Sequence, residues 1–368
     1  MATPQASTAA SVRATEWPFA CVATFPRLRV LAWEGDALYA SHAYTLLRGR
    51  MEGKTFAWKI VGYFRPAVWR NLTVTSRLTF RLCRDGFHAL AVLGSGHMVG
   101  AVPGAIVSMA PGETEFRVSH TIARGTRPLH LASTPDGRLF WGEYFDNAAR
   151  DEVHIYTSGD CGFTWEVAYT FPRGSIRHVH NIVYDEWENC LWVLTGDNGD
   201  ECRMLRASCD FRQVDTVTAG NQQARAVALV PMKDGIFFSS DTPLERNHIY
   251  QLSRAGELTM VATLASSSIC SCRVGDAVFF STMAEPSDQN STTRVSILGS
   301  SNGKDWTWLH EWEKDHWPMG LFQYGNVFLP DGTNSSGLLA LTTVAVRGHD
   351  LETSIWRVNG QESAGRVL

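Results

Sequence analysis

Ionisable side chains recur at equivalent places in repeated phrases of this chain. Arg127 stands ten residues before Gly137 of one polar turn, Arg225 stands ten before Gly235 of another, and His178 stands eleven before Asn189 of a third. His130 and His180 follow closely on the same segments, and the period of two of an extended strand puts His178 and His180 on one face. The polar stretches after each turn add Glu143, Tyr144, Asp146 and Arg150, then Asp197, Asp200 and Glu201, then Asp241, Glu245 and His248. His42, Tyr44 and His97 are further candidates from the first part of the chain.

A group of cations, imidazoles, a phenol and carboxylates suits cleavage of a glycosidic bond in an acidic poly- or oligosaccharide. β-Elimination at a uronate needs cations to neutralise the carboxylate and acidify the neighbouring C–H, a base to take that proton, and an acid for the leaving oxygen. Arg127, Arg150 and Arg225 fit the first role, with His130, Asp241 and His248 as further substrate contacts. His178, His180 and Tyr144 fit the proton transfers. Hydrolysis instead needs two carboxylates about 5–9.5 Å apart, for which Glu143 with Asp197 or Asp241 is the candidate pair. A divalent cation is a further option, since the H-x-H of His178 and His180, with His130 or Asp197, has suitable ligand types. Each residue alone has a plainer explanation: a histidine at a strand start is usually a hydrogen-bonded packing residue, and polar loop side chains are usually just solvated. Recurrence in three adjacent repeats is what marks the group.

The elements that must hold these residues are strands. Short runs rich in Val, Ile, Phe, Trp and Tyr are broken by Gly, Asp and Asn turns, and helical periodicity is nearly absent. One phrase, an apolar run, a polar turn and a second apolar run, returns at 30–41, 78–93, 129–145, 180–197, 227–241, 272–282 and 322–343. A spacing of roughly 45 residues is the blade length of a four-stranded propeller. The reading is therefore an all-β fold, a seven-bladed β-propeller of four-stranded antiparallel blades, with six blades as the alternative. Stacked blades bury faces that no single blade can bury, which gives the 13 Trp and 18 Phe a place between blades. The segment 17–25 is expected to pair beside 353–360 and close the ring. Residues 1–16 then form a disordered or extended segment, and 17–368 a single propeller domain.

The stretch 153–171 carries Ser158, Asp160, Gly162, Thr164 and Trp165 in the order S-x-D-x-G-x-T-W. This resembles the Asp-box, or BNR repeat, of sialidase-like β-propellers. Ser300, Asn302, Gly303, Asp305 and Trp306 fit a variant one residue shorter, and Ser208 with Asp210 looks like a degenerate third copy. The resemblance implies a structural turn between the third and fourth strands of a blade, on the side away from the active site. The chemistry is then expected at the opposite mouth, where the second-to-third loops gather. The N-terminal (F/Y)-R-I-P of sialidases is absent, since FPRLRV at 25–30 only echoes it. The function expected is thus a carbohydrate-active enzyme, foremost a polysaccharide lyase, with a sialidase-fold glycoside hydrolase as one alternative and a non-catalytic glycan- or protein-binding propeller as the other.

Composition sets the outer bounds. With 44% hydrophobic and 19% charged residues the chain can build a large core, and a net charge of -4 with no long Lys/Arg run argues against a nucleic-acid surface. Eight cysteines without a C-x-x-C pair read as reduced, buried thiols rather than a disulfide scaffold or zinc ribbon. No apolar signal-peptide core and no 18-residue apolar span is seen. The expectation is a cytoplasmic protein, or a periplasmic or secreted one if a leader was removed, and the oligomeric state is left open.

Overall fold

Alternating apolar runs and tight turns fold here into antiparallel meanders, because each turn is too short for anything but a return to the neighbouring strand. The computed structural model describes residues 19–358; the expected segment 1–16 lies outside them. Among the described residues there are six sheets. Four are meanders of consecutive strands: 132–171, 179–219, 226–263 and 270–313. A fifth sheet has the order Phe19–Pro26, Glu352–Val358, Leu338–Val344, Asn326–Phe328. Its outer strand comes from the other end of the chain, with Phe19 opposite Val358 and Pro26 opposite Glu352. Phe19 stacks on Trp356 with ring centroids 4.5 Å apart. The closing pairing expected for 17–25 is present over the described part.

The sixth sheet has nine strands. It contains an antiparallel meander over 29–64 and another over 89–121, whose backbones pair only where Tyr63 and Phe64 run parallel to Glu115 and Phe116. Its ninth strand, Asp331–Asn334, pairs in parallel with Ala32–Gly35. First strands of successive sheets lie side by side, as at 179–185 with 226–232 and 226–232 with 270–274. Faces buried between sheets form the core. Trp306 sits between Phe237 and Phe280, each 5.9 Å away, and Trp141 stacks on Tyr156 at 4.4 Å. Side chains of this size stabilise by about 1.5–3 kcal/mol each when fully buried.

Three turns at equivalent places cap third and fourth strands. Asp160 Oδ1 accepts from the backbone N–H groups of Phe163 (3.1 Å) and Thr164 (2.9 Å), and Asp160 Oδ2 accepts from the Thr164 hydroxyl (2.6 Å). Ser158 Oγ accepts from Gly162 N at 2.9 Å. Gly162 has φ +86°, and a Cβ there would lie 2.4 Å from Val99 Cγ2, so only glycine fits. Trp165 donates from Nε1 to Ser119 in the neighbouring meander at 3.2 Å. Asn302 plays the aspartate's part in the second turn, accepting from Lys304 N and Asp305 N at 2.9 Å each. In the third, Ser208 Oγ donates to Asp210 at 2.6 Å and accepts from Gln213 N at 3.1 Å.

Two expected strand-turn-strand units are corrected. In 78–93 the first apolar run is a helix, Arg77–Cys83, ended by Arg84 at φ 50°. A seven-residue helix is too short to declare a period of 3.6 in sequence. In 322–343 the expected turn contains the parallel strand Asp331–Asn334. The expectation of buried thiols also needs correction: all eight cysteines are free, but Cys190, Cys202 and Cys270 alone are buried and Cys21 is exposed.

Candidate functional site

The second-to-third loops and the connections between sheets converge on the mouth opposite the Asp-type turns. His178 and His180 come from the start of the strand Val179–Asp185, with Asp197 just beyond the neighbouring strand Cys190–Thr195. His180 Nε2 lies 3.0 Å from His178 Nε2 and 3.3 Å from Asp197 Oδ1. The other nitrogens face backbone: His178 Nδ1 donates to Phe145 O and His180 Nδ1 to Ala226 O, both at 3.0 Å. Arg225 Nη2 is 3.3 Å from Asp197 and 3.6 Å from Asp241, and Arg177 Nη1 is 3.2 Å from Asp197 Oδ2. The Tyr144 ring is 4.4 Å from the His178 ring. The expected group therefore assembles at its centre.

Burial sets the electrostatics. It pulls His180 below the usual imidazole range, and it raises Tyr144 and Asp241. Burial alone would raise Asp197 too, but His178 and His180 outweigh it and hold the carboxyl well below the usual range. Asp241 Oδ1 is buried and makes no hydrogen bond among the described residues.

Several expected partners are committed elsewhere. Glu143, 4% exposed, is held by Nε and Nη2 of Arg124 and accepts from His154 N at 2.8 Å. Arg150 is bound to Glu201 at 2.6 Å and Asp146 to Arg177. His130 pairs with Asp331 at 3.0 Å and so leaves the pair at 178 and 180. His248 faces the outer strands and meets Thr263 at 3.2 Å, and Glu245 takes Gln223. Tyr44 donates to buried Asp85 at 2.8 Å. His97 lies in a first-to-second turn beside Phe163, on the side of the Asp-type turns.

Sequence reasoning missed Arg177, Arg124, Asp331 and Glu285. Arg177 adjoins His178, and alternation assigns it to the other face; the chain bends there before the strand begins. Asp331 belongs to the unexpected parallel strand. Glu285 lies in a polar loop without a repeat partner; burial, then the charge of Asp241, raises it. A second cationic group was also missed. Arg127 shares the mouth with Arg29 and Arg84, and none of the three has an ion pair among the described residues. Burial, then repulsion by Arg29 and Arg84, pulls Arg127 down to about 9.

The fold is that of a β-propeller, and it is shared with known structures at low sequence identity. The chain is similar to the WD40 beta propeller domain of Doa1 (12% identity, 94% of this chain and 97% of that one, TM-score 0.55). It is similar to a chain of a mitotic checkpoint complex (11%, 96% and 100%, 0.56) and to the Myceliophteria thermophila Cps50 (Swd1) beta-propeller domain (11%, 93% and 100%, 0.56). No family model and no curated protein matches the chain.

These findings overturn the expected polysaccharide lyase and its hydrolase alternative. The similar structures named here are a WD40 propeller domain, a chain of a mitotic checkpoint complex and a further propeller domain, none of them described as a glycan-cleaving enzyme. Of the arginines meant for a uronate, Arg150 and Arg225 already hold carboxylates. Glu143, meant as one of two hydrolytic carboxylates, is neutralised by Arg124. An acidic saccharide as partner is unsupported on the same grounds. No helix among the described residues is long and apolar enough to cross a membrane.

Proposed function

We propose that this chain is a non-catalytic propeller that binds a protein partner through its mouth face. The observation that carries the reading is the connection between the meanders 29–64 and 89–121. From Arg65 to Arg84 it holds five arginines and no Asp or Glu, and it exposes Val68 (82%), Leu72 (75%) and Trp69 (52%). Its helix Arg77–Cys83 packs on Met319–Phe322, where Leu321 is also exposed. Adjoining apolar side chains exposed on one face, rimmed by cations, suit an apolar segment of a partner flanked by acidic residues. Arg77 and Arg84 have no ion pair among the described residues and are available to such a partner. The similarity to a chain of a mitotic checkpoint complex agrees with a role in an assembly.

We read the nine-stranded sheet as two blades, which makes a seven-bladed ring forming one domain over the described part of 17–368, residues 19–358. Support comes from the backbone pairing between its meanders, which spans only two residues. Kinship with the Asp-box propellers rests on the three matching turns at 158–165, 208–213 and 300–306.

The test compares wild-type protein with a Trp69→Ser/Leu72→Glu variant of equal thermal stability as baits. Any protein recovered is purified and its affinity measured for both. The expected result is binding weakened by at least about tenfold, or ~1.4 kcal/mol, in the variant. Equal affinity for both, or turnover of any substrate that His180→Ala abolishes, overturns the reading.

A further inference from the structure

We propose that His178, His180 and Asp197 form a binding site for one divalent transition-metal ion of the zinc class, with a fourth position left to water or an incoming donor. Backbone carbonyls only accept hydrogen bonds, so the contacts of Nδ1 to Phe145 O and Ala226 O place a proton on Nδ1 of both rings. Each neutral ring then presents a bare Nε2 lone pair. These two lone pairs meet at 3.0 Å, with Asp197 Oδ1 3.3 Å from one and 3.6 Å from the other. In that neutral state the two facing ring lone pairs repel, while Asp197 Oδ1 is served by Arg225 Nη2 at 3.3 Å, and a cation among the three ligand atoms removes the conflict between the rings.

The size of the triangle selects the cation. Zinc–nitrogen and zinc–oxygen bonds of about 2.0–2.2 Å in a tetrahedron set neighbouring donor atoms about 3.3–3.6 Å apart. The two histidine–aspartate edges, 3.3 and 3.6 Å, match that spacing, and the histidine–histidine edge of 3.0 Å needs to open by about 0.3 Å to admit the ion. The surroundings also suit a metal centre: each imidazole is oriented by a hydrogen bond from its far nitrogen, and Arg177 fixes the second carboxylate oxygen at 3.2 Å. Arg225 and Arg177 bring positive charge near, but Asp241 and Asp146 each take a share of one of them. His130 is no ligand, because Asp331 holds it. The other convergence of ligand types, Asp185, Glu188 and Cys190, is already satisfied by Arg254 and by Trp192 Nε1 at 3.0 Å.

The inference does not depend on the protein-binding reading, and its test uses no partner. Chelator-treated, folded full-length protein is titrated with Zn2+ by calorimetry and with Co2+ by visible absorption. The expected results are one ion per chain at micromolar or lower concentration, tetrahedral Co2+ bands, and affinity lowered by about 100-fold or more in His180→Gln and in Asp197→Asn. Wild-type protein that stays folded and takes up no stoichiometric ion overturns the site, as does undiminished binding in both variants. A proton shared between the two Nε2 atoms, seen as a strongly downfield resonance with no metal uptake, overturns it as well. Because wild type alone decides the first outcome, a variant that fails to fold leaves the test intact.

Discussion

Arg81 is bound to Asp315, a residue 234 positions further along the chain. The arginine side chain is 1% exposed, and it also donates from Nε to Phe322 O at 2.7 Å and approaches Asp350 at 3.4 Å. Asp315 in turn takes Lys314, whose Nζ donates to Trp317 O at 2.9 Å. The basic helical connection is thereby fastened to the segment that precedes the closing sheet.

Substituting Asp315→Asn leaves the buried Arg81 with the more distant Asp350 as its one remaining carboxylate among the described residues. Breaking a buried pair from one side costs about 3–5 kcal/mol, and the remaining carboxylate puts the expected loss at the lower end, about 3 kcal/mol. Denaturant unfolding of the two proteins measures it. A loss under about 0.5 kcal/mol would show that the pair is immaterial to stability.

Acid should weaken the same contact. Burial pushes the Asp315 carboxyl up, but Arg81 and Lys314 outweigh it and the net direction is down. A depressed folded-state value means the stabilisation is present above the usual carboxylate range and disappears as pH falls through the lowered value. The gap in melting temperature between wild type and Asp315→Asn should therefore shrink on acidification below the usual carboxylate range. A gap that widened there would contradict the assignment.

Glu143→Gln tests whether that carboxylate is structural. Arg124 loses its counter-charge while His154 N keeps an acceptor, so a loss of about 2–3 kcal/mol is expected. Metal uptake should be unchanged, because Glu143 is not among the proposed ligands. Altered Zn2+ stoichiometry in a folded variant would instead tie Glu143 to the histidine pair.

In the 158–165 turn, Gly162→Ala should cost more than Asp160→Ala. The glycine change combines a strained positive φ with the 2.4 Å approach to Val99 across the neighbouring meander. The aspartate change removes an acceptor from two backbone donors at a site open to water, a loss of about 1–2 kcal/mol. Thermal melts of both variants rank them, and the reverse order would mean that the meanders slide apart to admit a methyl group.

The strand meanders were legible because their signals are local: a β-rich run, a tight turn, another run. The pairing of His178 with His180 was legible for the same reason, since two positions on one strand share a face. Asp331 was hidden because its strand pairs with residues about 300 positions earlier, and nothing near it in sequence says so. The partners of Glu143 and Arg150 were hidden differently. An unpaired carboxylate and one locked to Arg124 read identically in sequence, so the elimination chemistry expected from residue types did not survive their geometry. The helix Arg77–Cys83 was missed because its apolar residues alternate well enough to pass for a strand over so short a span.

The pairing of Phe19–Pro26 with Glu352–Val358 has a kinetic consequence. Each of the four consecutive meanders can form from residues less than 50 positions apart, whereas this sheet joins strands more than 300 positions apart. Contacts so distant in sequence are slow to form, since loop closure must come before any reward. The earlier meanders can therefore collapse while the final one waits with an unpaired edge, exposed to a strand from another molecule. The last step of folding is the one at which this chain is most open to exchanging strands with its own copies.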